Sequence, residues 1–269
     1  MAVEIQACGL NLRIEPEDDS FEAELQRLLA AFPPSRNRPD FTIRRNGTIL
    51  TINGRTCDWD IPEGLPLFSD RIIYWIRETI RRHAAGYILL HGACVMREGR
   101  AWLLLGDRGA GKSTTAVRWC LDGAAAMCEH AVPLRVNDGR VCALPFPLEI
   151  VNPPAVLLRD LKKQDSFLPL VYHDDGLTCL RAIPRHAPSA PVPPAATLFL
   201  HRGTVPRKQR AVRLEPGTAL LARLAACGLN AERWDAAAWE RLASLVEACP
   251  AFLAECSAQN GTVPLAPPV

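Results

Sequence analysis

Apolar residues at Phe21, Leu25, Leu28, Leu29 and Phe32 recur at helical spacing until Pro33-Pro34 closes the run, the pattern of a short amphipathic helix. The stretch Val3 to Ile14 before it is strand-like. After it, Phe41 to Arg45 and Thr48 to Ile52 flank Asn46-Gly47, a pair that supplies the positive φ angles of a tight turn, so a hairpin with an exposed β edge is expected. A second helical stripe follows at Phe68, Ile72, Ile73, Ile76 and Ile80, with arginines on the opposite face.

The pattern then changes to near-continuous apolar runs. Tyr87 to Met96 and Ala101 to Leu105, joined by the turn Arg97-Glu-Gly-Arg100, read as two strands, and the second leads into Gly106. Lys112 to Leu121 has no helix breaker and ends at Asp122-Gly123, where glycine suits a helix C-terminus. Further strands are predicted at Ala124 to Cys128, Val132 to Val136 and Val141 to Leu144, the last two turning through Asn137-Asp138-Gly139. Pro145 to Pro194 is proline-rich and reads as long loops around one helix near Ala155 to Lys163. A late strand at Ala196 to His201, a helix at Pro216 to Cys227 and an amphipathic helix over Ala236 to Glu255 complete the pattern.

This alternation predicts an α/β fold with a small N-terminal α+β unit over residues 1–66, a larger domain over 67–258 and a flexible tail over 259–269. Composition adds limits to this picture. Of 269 residues 48% are hydrophobic and 22% charged, which excludes disordered and fibrous classes. No apolar run reaches the roughly 20 residues of a membrane span, and the N-terminus lacks a secretory pattern, so a cytoplasmic protein with no membrane partner is expected. The 31 basic and 29 acidic residues leave a net charge of +2 with no basic block, which argues against nucleic acid as partner. None of the ten cysteines has C-x-x-C spacing, so they read as reduced thiols, mostly buried.

The chemistry concentrates in Gly106-Asp107-Arg108-Gly109-Ala110-Gly111-Lys112-Ser113-Thr114, a phosphate-binding loop between a predicted strand and a predicted helix. A triphosphate carries about four negative charges, and burying it calls for backbone N–H donors that approach closely. Glycines allow that approach, and the following helix N-terminus favours negative charge. Lys112 is then placed for the β- and γ-phosphates and Ser113 for Mg²⁺, so ATP with Mg²⁺ is the expected ligand pair. A chance coincidence of glycines, lysine and serine in a turn is the alternative, and the strand before and helix after weigh against it. Phosphoryl transfer also needs a carboxylate nearby. The strand after the loop's helix ends in Glu129-His130, where such a group belongs.

With Leu90-His91-Gly92, the loop itself, Cys128-Glu129-His130-Ala-Val-Pro133-Leu134, Pro145-Phe-Pro147 and Leu198-Phe-Leu200 in this order, the chain resembles the HPr serine kinase/phosphorylase superfamily. The likeness is greater to its shorter HPr-kinase-related members, some of which phosphorylate peptides in bacterial natural-product clusters such as those of lasso peptides. It covers about residues 87–227. It implies a P-loop kinase core of the HPr kinase C-terminal type, with Glu129 as general base or metal carboxylate and His91 beside the transferred phosphoryl group. His130 stands where the family has a second acid, and an imidazole is a poor magnesium ligand. Glu149-Ile150 matches the start of a further metal-binding signature, but Val151-Asn152 follow in place of Arg-Gly. The candidate set is therefore Glu129, His91 and His130 for catalysis, residues 106–114 for nucleotide, and Ser113, Glu129 and Glu149 for metal.

Blander readings stand beside these. Without the resemblance His91 reads as a hydrogen-bonded core histidine, Glu149 as a solvated strand-end carboxylate and Arg108 as a solvent-facing residue. The leading functional expectation is an ATP-dependent kinase acting on a Ser/Thr hydroxyl of a peptide or small protein. A nucleotide-binding scaffold impaired in catalysis, docking a peptide at the N-terminal hairpin, is the alternative, and a small-molecule kinase a third. Assembly of several copies of the chain is left open.

Overall fold

The computed structural model describes residues 2–16, 18–46, 49–56, 68–174, 176–202 and 211–256. It is a mixed α/β structure with six helices and three sheets among the described residues. The chain divides into two compact units, Met1–Ala85 and Gly86–Val269. The second helical stripe thus groups with the first unit, whereas the sequence pattern starts the larger domain at 67. The predicted tail over 259–269 lies outside the described residues.

In the first unit β1 (Val3–Ala7) and β2 (Leu10–Glu15) form an antiparallel hairpin where one strand-like stretch is predicted. Cys8 and Gly9 at its turn take φ 49° and 77°, and a pair of positive φ angles makes the strands reverse there. Helix α1 (Asp19–Leu28) starts where the Asp18 side chain accepts the Phe21 N–H, and it buries Phe21, Leu25 and Leu28. The sheet continues through β3 (Phe41–Asn46), β4 (Ile49–Ile52) and β5 (Arg55–Thr56) in the order β1-β2-β3-β4-β5. The hairpin β3–β4 forms as predicted, while residues 47 and 48 of its turn lie outside the described residues. β3 pairs with β2 in parallel, and β4 pairs along Thr51–Ile52 with the short β5, which is the last strand of the sheet on that side among the described residues. The β1 side is covered, since Gln6 N donates to Pro33 O and Ser35 N to Glu4 O. Helix α2 (Phe68–His83) buries Ile72, Ile73, Ile76 and Ile80 of the predicted stripe and also Trp75, which the pattern did not include, while the Phe68 side chain lies outside those described.

The second unit is built on a seven-stranded sheet of β6 (Tyr87–Arg97), β7 (Arg100–Leu105), β8 (Ala125–Cys128), β9 (Ala131–Arg135), β13 (Pro194–Arg202), β14 (Ala211–Leu214) and β15 (Ala251–Cys256). Its order is β14-β15-β13-β7-β6-β8, with β9 also on β6. Strands β7, β13 and β15 run parallel, and β6 is antiparallel to β7, β8 and β9. β6 and β13 are buried on both faces, which explains why they read as continuous apolar runs. Helix α3 (Lys112–Leu121) lies on one face and buries Ala116, Val117, Trp119 and Cys120.

Beyond α3, a three-stranded sheet in the order β10-β12-β11 comprises β10 (Leu148–Val151), β11 (Phe167–Asp174) and β12 (Leu177–Pro184), with α4 (Ala155–Leu161) between β10 and β11. Leu148, Ile150, Leu157, Phe167, Leu180 and Ala182 join the α3 side chains in one core cluster. The expected loops of 145–194 are therefore corrected to an antiparallel sheet, whose outward-facing polar positions concealed its apolar face.

Two further predictions are corrected. Val141 to Leu144 makes only isolated bridges, to Leu134 and Val192 at Val141 and to Cys128 at Leu144. Pro133 on the facing strand has no N–H to continue a ladder, and Pro145 follows directly. The helix over 236–255 ends early: α6 (Ala236–Ala248) stops before Pro250, and β15 then pairs in parallel with β13. α5 (Thr218–Ala226) forms as predicted. All nine described cysteines are free thiols, and no helix among the described residues is long and apolar enough to cross a membrane.

Candidate functional site

β7 ends at Leu105, and the chain turns through Gly106, Gly109 and Gly111 at φ 135°, 81° and 93°, all values that side-chain-bearing residues rarely adopt. Gly106 is constrained a second way, because a Cβ there would run into the Leu200 carbonyl oxygen of β13. Ala110, 4% exposed, anchors the loop in the core beneath it, and its N–H donates to Asp107 O at 3.1 Å. Asp107 and Arg108 are exposed at the crest of the loop. α3 begins at Lys112 with no side-chain cap and no acid in its first turn, which leaves its N-terminal amides and dipole to an anion. Thr114 stands half-buried in that turn.

Lys112 Nζ donates to Gly106 O at 2.7 Å and to Asp107 O at 2.9 Å, so the ammonium is folded back on its own loop. Burial pushes its pKa below the ordinary 10.5, against the pull of the Glu129, Asp107 and Cys227 charges. Glu129 therefore lies close to the loop. Ser113 Oγ donates to Glu129 Oε1 at 2.8 Å.

The reason Glu129 can reach Ser113 is a break in the sheet. β8 and β9 lie on the same side of β6, with Cys94 opposite Cys128 and His91 opposite Ala131, and Glu129-His130 fall between. His130 takes φ 71°, a left-handed value that costs a non-glycine residue about 1–2 kcal/mol. The backbone groups released there are re-satisfied: Gly92 N donates to His130 O at 3.2 Å and Glu129 N to Leu144 O at 3.4 Å. Across the break, the His91 and His130 rings meet edge to face with centroids 5.3 Å apart. Gly92 is required beside them, since a Cβ would fall 2.6 Å from Leu104 O and from Leu105 Cδ2.

Neither family models nor curated proteins match the chain. The function must be read from the site's own geometry.

The structure thus brings together the loop, Lys112, Ser113 and Glu129, with His91 and His130 forming a pair next to Glu129. Glu149 is engaged elsewhere. It stands on β10 and accepts from Arg181 Nε at 3.1 Å across the β10–β12 ladder. Arg181 is 1% exposed and its guanidinium lies 4.9 Å from the Tyr172 ring centroid, so Glu149 serves to compensate a buried cation.

Among the described residues no three His, Cys, Asp or Glu side chains cluster as a metal cage. The oxygen pair of Ser113 and Glu129 is instead the donor set that Mg²⁺ takes when substrate phosphates and water complete its shell. The glycine cradle, the lysine and this oxygen pair fit a polyphosphate with a hard divalent cation.

Sequence patterns gave no signal for two further parts of the site. Cys227 O, at the C-terminus of α5, accepts from His91 N at 2.6 Å and fixes the strand carrying His91. Buried Asn230 then imitates a strand, accepting from Leu89 N at 3.0 Å and donating to Tyr87 O at 2.9 Å. Both contacts span more than 130 residues, which no local pattern reports.

Proposed function

We propose that this chain is an ATP-dependent kinase with a P-loop core of the HPr kinase type, which phosphorylates a Ser/Thr hydroxyl on a peptide or small protein. The observation that supports the reading is the 2.8 Å bond from Ser113 to Glu129, because it joins the glycine loop to a carboxylate of the kind phosphoryl transfer needs. Residues 106–111 would wrap the phosphates with backbone N–H groups, and Lys112 would exchange its loop carbonyls for phosphate oxygens. Mg²⁺, held by Ser113 and Glu129, would neutralise charge on the β- and γ-phosphates. Glu129 accepts the proton of the attacking hydroxyl as the O–P bond forms and the bond to ADP breaks. His130 follows Glu129 directly in the chain and its ring meets that of His91, and this pair would orient the phosphoryl group and its acceptor.

Incubation of the full chain with labelled ATP, Mg²⁺ and candidate peptides should transfer label, and Lys112→Ala should abolish the transfer. Measurable ATP binding with no transfer to any peptide or protein substrate would overturn the kinase reading. One observation favours a second reading, a nucleotide-binding scaffold without catalysis: the residue after Glu129 is an imidazole, which cannot supply the charge of a second carboxylate. If that reading is right, His130→Asp should raise transfer from nothing.

A further inference from the structure

The phosphate loop has a second wall, formed by β13 and α5. Phe199 on β13 is the ladder partner of Leu105, the last residue before Gly106, and the Leu200 carbonyl abuts Gly106 itself. The Arg223 guanidinium lies over the Phe199 ring, 5.4 Å from its centroid. Arg223 is exposed, and among the described residues no carboxylate pairs with it.

One helical turn further along α5, Cys227 Sγ lies 3.5 Å from Arg223 O. Burial raises the Cys227 thiol, while the charges of Lys112 and Arg223 oppose the rise and that of Asp107 adds to it. The same thiol thus lies within reach of the charges of both the loop lysine and the α5 arginine. The same residue's carbonyl holds His91 N, so α5 is pinned to the strand that carries the opposite wall.

We infer that Arg223 is a second phosphate-binding cation of the site, acting on the polyphosphate of the bound nucleotide; this rests on the nucleotide-binding reading above. A triphosphate brings about four negative charges, of which Mg²⁺ would offset two and Lys112 one, so about one remains. A guanidinium suits the remainder because its planar fork binds two phosphate oxygens at once. Stacking on Phe199 holds the fork in one plane, so less side-chain freedom is lost when phosphate arrives. Among the described residues no acid pairs with Arg223, so binding there would displace water.

The test is titration of the full chain with ATP and Mg²⁺ by calorimetry, with ADP and AMP in parallel, for the unaltered protein, Arg223→Gln, Arg223→Lys and Lys112→Ala. Arg223→Gln should weaken ATP about tenfold or more and AMP hardly at all, with the midpoint of thermal unfolding unchanged. Arg223→Lys should recover part of the loss, since it keeps the charge and loses the fork. ATP affinity in Arg223→Gln equal to that of the unaltered protein, while Lys112→Ala has lost it, overturns this assignment alone. A uniform loss for ATP and AMP together with a lowered unfolding midpoint also overturns it, because it marks Arg223 as a packing residue. Absence of nucleotide binding by the unaltered protein overturns the underlying reading and this assignment with it.

Discussion

Along β6 the ladder of the seven-stranded sheet is interrupted at Glu129-His130, whereas the ladder joining β10 to β12 in the three-stranded sheet runs unbroken through Glu149. Each sheet offers one acidic residue that the sequence marks as a metal candidate. In the broken ladder the backbone leaves the regular pleat, with His130 at φ 71°, and the Glu129 carboxylate meets Ser113. In the regular ladder Glu149 faces its cross-strand partner Arg181 and compensates its charge. A regular strand commits its side chains to neighbours in register, and a break frees one for a group on another element. Irregularity at a sheet edge is therefore the stronger indication of function here.

The most direct way to break this contrast is to exchange the two acids' amides. Glu129→Gln should lower phosphoryl transfer by about a hundredfold or more, the usual contribution of a positioned base, and weaken ATP binding in the presence of Mg²⁺, while ATP binding without Mg²⁺, measured by calorimetry, stays within a few-fold. Retention of full transfer would show that the broken ladder carries no catalytic group. Gly106→Ala attacks the same sheet at the start of the loop. The new methyl has no room against Leu200 O, and the φ of 135° is unsuited to alanine. We expect nucleotide binding to be lost and stability to fall by about 2–3 kcal/mol in denaturant unfolding.

Glu149→Gln should do the reverse of Glu129→Gln. Arg181, 1% exposed, would lose the charge of Glu149, and since Glu149 itself is 41% exposed the cost should be modest, about 1–2 kcal/mol by chemical denaturation. Transfer activity should remain within about threefold. If this variant instead kept its stability and lost transfer, Glu149 would belong to the site and the contrast between the sheets would fall.

The difference between the two acids also shows what the sequence discloses. The shape of the glycine loop was legible because its glycines, lysine and serine fall within nine consecutive residues, and the strand and helix around it follow local periodicity. Glu129 was legible from its place at the end of the next strand. The break that delivers it was not, since His130 carries no turn signature and its geometry depends on Gly92 and Leu144, contacts made through the sheet. The small sheet was obscured by its prolines and by exposed residues on its outer face. The helical pattern was carried past Pro250 to Glu255, and the strand after it, pairing with β13, is fixed only by the parallel sheet it joins. Cys227 and Asn230 reach the site from the far end of the chain, and local spacing holds no trace of them.

The smallest effect sharpens the comparison most, because it separates the acids without removing the site. Burial lowers the Lys112 pKa below 10.5, and the nearby Glu129 charge is the largest influence opposing that fall. Nucleotide affinity requires the ammonium, so it should decline as pH rises through this lowered value, by less than about tenfold per pH unit. Stability of the unliganded protein should move the other way. Between the lowered pKa and 10.5 the unfolded chain binds the proton that the folded lysine has released, so unfolding becomes harder as pH rises. Replacing Glu129 by Gln withdraws the opposing charge and should bring the decline in affinity to a lower pH, whereas Glu149→Gln should leave it in place. Calorimetric titration with ATP across the alkaline range distinguishes the two, and an identical shift in both variants would mean that Lys112 does not sense the carboxylate released by the broken ladder.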